Sequence, residues 1–166
     1  MSITFKGNPA SLKGTALKVG DNAPAITLVG KDLGEVKVGG NSDKIQILSV
    51  FPSIDTGVCQ IQTKKFMAQY SGCDKCELIS VARDLPFAFG RFCAAEGIEN
   101  AITASDFRGG EFGKAYGLEL DGCPLAGLLA RAVIVIKDGK IAYQEIVSEI
   151  TNEPNYDALK AALDNL

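Results

Sequence analysis

Two apolar runs, IQILSVF at 45–51 and ELISVAR at 77–83, limit the folds open to this chain more than any other feature. The first is nearly continuous, as a strand buried on both faces would be, and such a strand belongs in the middle of a helix-covered sheet. Between the runs lies a turn, PSIDTGVC (52–59), that ends at a helix start. Thr56 stands in the N-cap position there, which puts Cys59 at about the third position of the first turn. The spacing predicts Ile61, Phe66, Met67 and Tyr70 facing inward, Lys64 and Lys65 facing outward, and a stop near Ser71-Gly72.

The rest of the chain extends the pattern. A helix opened by Pro86 and closed by Gly97 carries Cys93 in its last turn or two. A short strand near Ile102–Thr103 and a helix around 107–116 follow, and the loop DGCPLAGLLA (121–130) leads into RAVIVI-KDGK-IAYQEIV, a hairpin by its turn. A C-terminal amphipathic helix after Pro154 aligns Tyr156, Leu159, Leu163 and Leu166. Upstream, Ile3/Phe5, Ile26/Leu28 and Val36/Val38 read as short strands with turns at 7–9, Gly20-Asp21 and Gly39-Gly40. The order βαβα…ββα with a closing hairpin predicts an α/β, thioredoxin-like fold with an N-terminal β-hairpin extension, in a single domain over residues 1–166.

Composition narrows the function. Hydrophobic residues make up 46% and charged residues 22%, ordinary for a soluble globular protein. A net charge of -3 gives no electrostatic reason to expect nucleic acid or an anionic membrane as partner. No stretch approaches the roughly 18 apolar residues that cross a bilayer. MSITFKGNPASLKG lacks the roughly 7–15-residue apolar core of a secretion signal, so a cytoplasmic location is expected. In that reducing compartment cysteines serve redox, catalytic or metal chemistry rather than permanent disulfides. The five cysteines, at 59, 73, 76, 93 and 123, cannot all pair within the chain, and there is no histidine. Every Cys–His pair, every His-containing zinc site and the commonest general base are therefore absent.

A thiol attacks as the thiolate, and its ordinary pKa of about 8.5 leaves little thiolate at neutral pH. Without imidazole, a helix N-terminus and a fixed cation are the remaining activators. Cys59 alone has the first in its local sequence, and free N–H groups there could hold a thiolate or a departing oxygen. The Thr56 hydroxyl can be directed to the same place, and Pro52 can stiffen the approach and shield it from water. Read from the residues alone, Cys59 serves equally well as a small buried hydrophobe with Thr56 as a simple cap.

The run Pro52-Ser-Ile-Asp-Thr56-Gly-Val-Cys59 resembles the Pro-x-x-x-Thr-x-x-Cys signature of peroxiredoxins, and its SxDTxVC form resembles the thiol peroxidase subfamily, the atypical two-cysteine peroxiredoxins. The likeness runs the length of the chain: FKGNP, VGDNAP (19–24), DLPFA..RFC.AEG (84–97), FG..YG (112–117), PL.GL.ARAV (124–133) and EPNYDALKAAL (153–163). The resemblance implies a peroxide site made of Cys59, Thr56, amides at the helix start and Arg131, whose alternative is a surface salt bridge at a strand end. It implies that Cys59 takes the distal peroxide oxygen and becomes a sulfenic acid, with no metal or organic cofactor. It further implies Cys93 as the resolving cysteine closing an intramolecular Cys59–Cys93 disulfide; its alternative is plain core packing. Hydrogen peroxide and alkyl hydroperoxides as substrates, thioredoxin as donor and a homodimer follow from the same resemblance.

Cys73-Asp-Lys-Cys76 has the spacing of a redox CxxC but follows a helix and precedes a strand, where the helix dipole opposes a thiolate. It reads as a turn pair, and Cys123 as incidental near the rim of the site. Phe51, Ile54, Phe87, Phe89, Leu125 and Leu128 are apolar candidates for an alkyl-binding wall, for core or for a dimer face; 86–92 and 121–130 are the expected dimer segments. Three rivals remain at this point: a disulfide reductase using Cys73 and Cys76, a redox sensor passing oxidation from Cys59–Cys93 to a partner, and a non-catalytic binding module.

Overall fold

The computed structural model describes residues 2–166. The first apolar run forms β5 (Ile45–Val50) and the second β6 (Cys76–Ala82), paired in parallel at the centre of a seven-stranded sheet. The crossover between them is α1 (Gly57–Tyr70), and α2 (Pro86–Glu96) connects β6 to β7 (Ile102–Ser105), again in parallel. On the other side of β5 lies the hairpin of β9 (Ala132–Lys137) and β10 (Lys140–Ile146), antiparallel to it, with Asp138-Gly139 at the turn. A second hairpin, β3 (Ile26–Val29) and β4 (Glu35–Val38), completes the sheet at β7. The strand order is β10-β9-β5-β6-β7-β3-β4.

A separate three-stranded sheet holds the N-terminal hairpin, β1 (Ile3–Phe5) and β2 (Asn8–Lys13), against β8 (Glu119–Asp121). The fold is thus α/β with an added N-terminal hairpin, as the element order predicts. Its turn is Lys6-Gly7, both at positive φ, so Asn8 and Pro9 already belong to β2 rather than to the expected turn at 7–9.

Alternation along β5 divides the interior. Leu48 and Val50 face a cluster with Phe112 and Tyr116 of α3 (Glu111–Tyr116), whereas Ile47 faces Phe66 of α1 and Leu159 of α4 (Tyr156–Asp164). Gly110 takes the left-handed conformation at the start of α3, so this helix begins later than the expected 107. The buried face of α1 is Cys59, Gln62, Thr63 and Phe66, a helical i, i+3, i+4, i+7 row. Ile61 falls outside that row and is 45% exposed, which corrects the expectation that it points inward. Leu166 lies beyond α4 and is exposed, so it does not share the face made by Tyr156, Leu159 and Leu163.

Candidate active site

Cys59 is the third residue of α1 and has no solvent-exposed surface as a residue. The helix can start there because Thr56 is extended at the N-cap and its carbonyl accepts from Gln60 N–H. The Thr56 side chain does not cap the helix: its Oγ1 lies 2.8 Å from Cys59 Sγ and 3.2 Å from the Ser53 carbonyl oxygen. One hydroxyl proton serves two acceptors. With a thiolate it points to sulfur; with a thiol, S–H can donate to Oγ1 while the hydroxyl donates to Ser53.

Arg131 immediately precedes β9 and is 2% exposed. Its Nη1 and Nη2 both stand 3.5 Å from Cys59 Sγ, Nη1 also donates to Gln62 Oε1 at 2.7 Å, and Nε donates to the Ile150 carbonyl at 2.9 Å. Among the described residues, no carboxylate lies within ion-pair distance of this guanidinium. A buried cation without a counter-charge is costly, and among the described residues the Cys59 sulfur is the ionisable group in hydrogen-bond contact with it. The expectation of a surface salt bridge at a strand end is excluded by the burial.

Gln62 escaped the reading of the sequence. It is fully buried in the site, and its Nε2 donates to Ser49 Oγ at 2.8 Å and to the Val50 carbonyl at 3.4 Å. Because arginine only donates, Oε1 must face Arg131, so the amide orientation is settled by its partners. The available signal was its position three residues after Cys59, on the same helix face.

The loop before α1 is anchored from outside. The Asp84 carboxylate accepts from Ser53 Oγ and from Ile54 N–H, each at 2.7 Å. Burial pushes its pKa above the usual carboxylate range, against the lowering effect of those two hydrogen bonds. Two ion pairs tie α2 to the same region: Arg91 with Asp55, and Lys64 with Glu96 at 2.7 Å.

Next to Thr56 and Arg131, the two side chains that touch the sulfur, opens a cavity of about 300 Å³, lined by them, by Pro52, Gly57 and Val58, by Ile150 and Thr151, by Leu125 and Leu128, and by Phe5 and Lys6 of the N-terminal hairpin; Cys59 itself is buried just behind this lining. Two larger clefts, along β3–β4 and beneath β2, contain none of these side chains beyond the hairpin itself. Phe51, Ile54 and Phe89 do not reach the cavity; they are fully buried in one cluster with Cys59 and Cys93. Phe87 is 66% exposed and also outside it. Of the six apolar candidates, Leu125 and Leu128 are the wall residues.

Residues 18–160 match the Redoxin family. A thiol peroxidase of Campylobacter jejuni is 48% identical over 96% of this chain and 90% of its own length. One from Halalkalibacterium halodurans is 48% identical over 98% and 99% respectively. The chain belongs to the thiol peroxidases of the redoxin family. The solved structure of a peroxiredoxin-like protein from Aquifex aeolicus superposes with a TM-score of 0.94 at 45% identity, covering 99% of this chain and 97% of the other.

This thiol peroxidase is an enzyme of the peroxiredoxin type, in which a thiol supplies the electrons that reduce a peroxide. All five of its cysteines are free thiols. Cys93, on α2 and 4% exposed, shares the cluster of Cys59, and burial pushes its thiol up in pKa. Cys73 lies in the turn after α1 and Cys76 starts β6, as their sequence setting implies. Burial first and the neighbouring Cys73 second push Cys76 up to about 11, the wrong direction for a nucleophile. Cys123 is half-buried against the larger core cluster. No helix among the described residues is long and apolar enough to cross a membrane.

Proposed function

We propose that Cys59 is the residue oxidised by peroxide, with Thr56 and Arg131 as the groups that hold its thiolate and polarise the O–O bond, and Pro52 shielding the pocket. The observation that carries this reading is the buried Cys59 sulfur, 2.8 Å from the Thr56 hydroxyl and 3.5 Å from each of two Arg131 nitrogens that have no carboxylate partner among the described residues, with Thr56 and Arg131 both lining an open cavity. The thiolate attacks the distal oxygen, the O–O bond breaks, and the proximal oxygen leaves as alkoxide or hydroxide and takes up a proton. Cys59 is then a sulfenic acid. Preorganised N–H and O–H donors stabilise the charge as it moves from sulfur to oxygen.

In the second step the Cys93 thiol displaces water from the sulfenic acid and forms a Cys59–Cys93 disulfide. Both residues sit inside helices, so closure requires local unwinding of the first turn of α1, of α2, or of both, until the Cα atoms come within about 7 Å. A dithiol donor of the thioredoxin class then exchanges with the disulfide, returning two thiols and leaving as its own disulfide. Hydrogen peroxide and alkyl hydroperoxides are the substrates, the latter favoured by the apolar wall at Leu125, Leu128 and Phe5.

The same reading takes residues 1–166 as one domain working in the cytoplasm, where free thiols persist. It includes a homodimer, with Leu85 and Phe87, 52% and 66% exposed beside α2, as the apolar contribution to its face. The test is peroxide consumption coupled to a thioredoxin system in single Cys→Ser variants. Cys59→Ser is expected to abolish turnover, Cys93→Ser to abolish the thioredoxin-linked cycle, and substitution of Cys73, Cys76 or Cys123 to leave both intact. Activity surviving Cys59→Ser but lost with Cys76→Ser would replace this reading by the disulfide reductase.

A further inference from the structure

The Thr56 hydroxyl serves the sulfur only while it is aimed there, and its aim is set by the turn that Thr56 closes. Thr56 N–H donates to the Ser53 carbonyl at 3.2 Å, making a turn of residues 53–56, and Thr56 Oγ1 lies 3.2 Å from the same oxygen and 2.8 Å from Cys59 Sγ. The start of this turn is held by Asp84, whose carboxylate accepts from Ser53 Oγ and from Ile54 N–H, each at 2.7 Å. Because the Ser53 hydroxyl gives its proton to Asp84, its lone pairs are left to accept from Asp55 N–H at 3.2 Å.

Asp84 is itself fixed. Ser105 Oγ, at the end of β7, donates to the Asp84 carbonyl, and two residues further on Pro86 begins α2. The side chain is half-buried, and among the described residues no lysine or arginine lies within ion-pair distance of it. A carboxylate partly withdrawn from water needs strong donors, and its two short hydrogen bonds both go to the turn. A line of contacts therefore runs from the sheet through Asp84, Ser53 and Thr56 to the sulfur, although Asp84 does not line the cavity.

We propose that Asp84 is a positioning residue for the oxidation of Cys59, acting through the 53–56 turn to keep the Thr56 hydroxyl on the sulfur. This role rests on the Cys59 reading above and deepens it. Asparagine at position 84 could not replace the carboxylate. Its one oxygen could keep Ile54 N–H, but its amide N–H would then face Ser53 Oγ, which already accepts from Asp55 N–H, and the Ser53 proton would lose its acceptor.

The experiment is a double-mutant cycle on the rate of Cys59 oxidation by hydrogen peroxide, read by rapid-quench alkylation and mass analysis. Asp84→Asn is made in wild type, in Thr56→Val and in Thr56→Ser. Since Asp84 acts only through the Thr56 hydroxyl, its effect is bounded by that of one hydrogen bond to a charged group, and a loss of about three- to tenfold is expected in wild type. In Thr56→Val the same substitution should change the rate by less than about twofold, and in Thr56→Ser its effect should return. Ser53→Ala, which keeps the Ile54 link, should follow the same pattern and serves if Asp84→Asn does not fold. An Asp84→Asn protein as fast as wild type, or one slowed equally with and without the hydroxyl at position 56, would overturn the assignment. Wild type alone separates the two levels: a Cys59 inert to hydrogen peroxide refutes the peroxidase reading, whereas an active Cys59 with additive losses refutes only the role of Asp84.

Discussion

Replacing Arg131 by methionine removes the cation while keeping much of the side-chain volume, and its cost can be worked from the geometry. Two N–H groups are lost from the sulfur, each at 3.5 Å. Sulfur is a larger and more diffuse acceptor than oxygen, so the lower end of the range for hydrogen bonds to a charged group applies, about 1.5 kcal/mol each. The sum, about 3 kcal/mol, corresponds to a rate of Cys59 oxidation lower by about a hundredfold. Arg131→Lys keeps the charge but not the planar fork, and cannot serve Ile150, Gln62 and the sulfur together; a loss of about tenfold is expected. Methionine also leaves the Gln62 and Ile150 oxygens without their donor, at about 1–3 kcal/mol each, so folding must be checked by circular dichroism. The chain has no tryptophan to report the reaction, and quenched-flow alkylation followed by mass analysis is the suitable assay. A folded Arg131→Met protein oxidised at nearly the wild-type rate would refute the electrostatic role.

Thr56→Val should slow Cys59 oxidation by about tenfold in the same assay, and Thr56→Ser should restore it, because only the hydroxyl touches the sulfur. Gln62→Leu frees Nη1 of Arg131 and is expected to lower the oxidation rate toward that of Arg131→Lys while leaving Cys93 reactivity in the unfolded chain unchanged. Cys76 has its pKa raised in the folded state to about 11, so its contribution to stability is complete below the ordinary thiol value and lost as pH rises toward about 11. Cys76→Ser should flatten that part of the alkaline fall in melting temperature. Hydrogen exchange in the first turn of α1 and in α2 should quicken on oxidation; equal protection in both redox states would count against local unwinding.

Much of the frame is legible in the sequence because it rests on burial alone. Isoleucine, leucine and valine from 45 to 50 and from 78 to 81 have no other use than a doubly covered sheet, and Gly97 and Asp138-Gly139 mark ends where the backbone turns left-handed. Pro52, Thr56 and Arg131 line one cavity, and the last two touch the buried Cys59 sulfur. Thr56 could be placed but not oriented, since a cap and a sulfur ligand demand the same residue at the same position. Gln62 looks like any polar helix residue until Arg131, 69 residues away, supplies its partner. β8 is too short to show a period, and the part played by Phe5 and Lys6 depends on a hairpin folding back over a site far along the chain.

The central claim is that Cys59 meets the peroxide and Cys93 answers it. Mass mapping of all five thiols after one equivalent of hydrogen peroxide, in wild type and in Cys93→Ser, tests it most directly. A Cys59–Cys93 disulfide in wild type and a trapped sulfenic acid on Cys59 in the variant are predicted. A first product joining Cys73 to Cys76, with Cys59 still reduced, would contradict it.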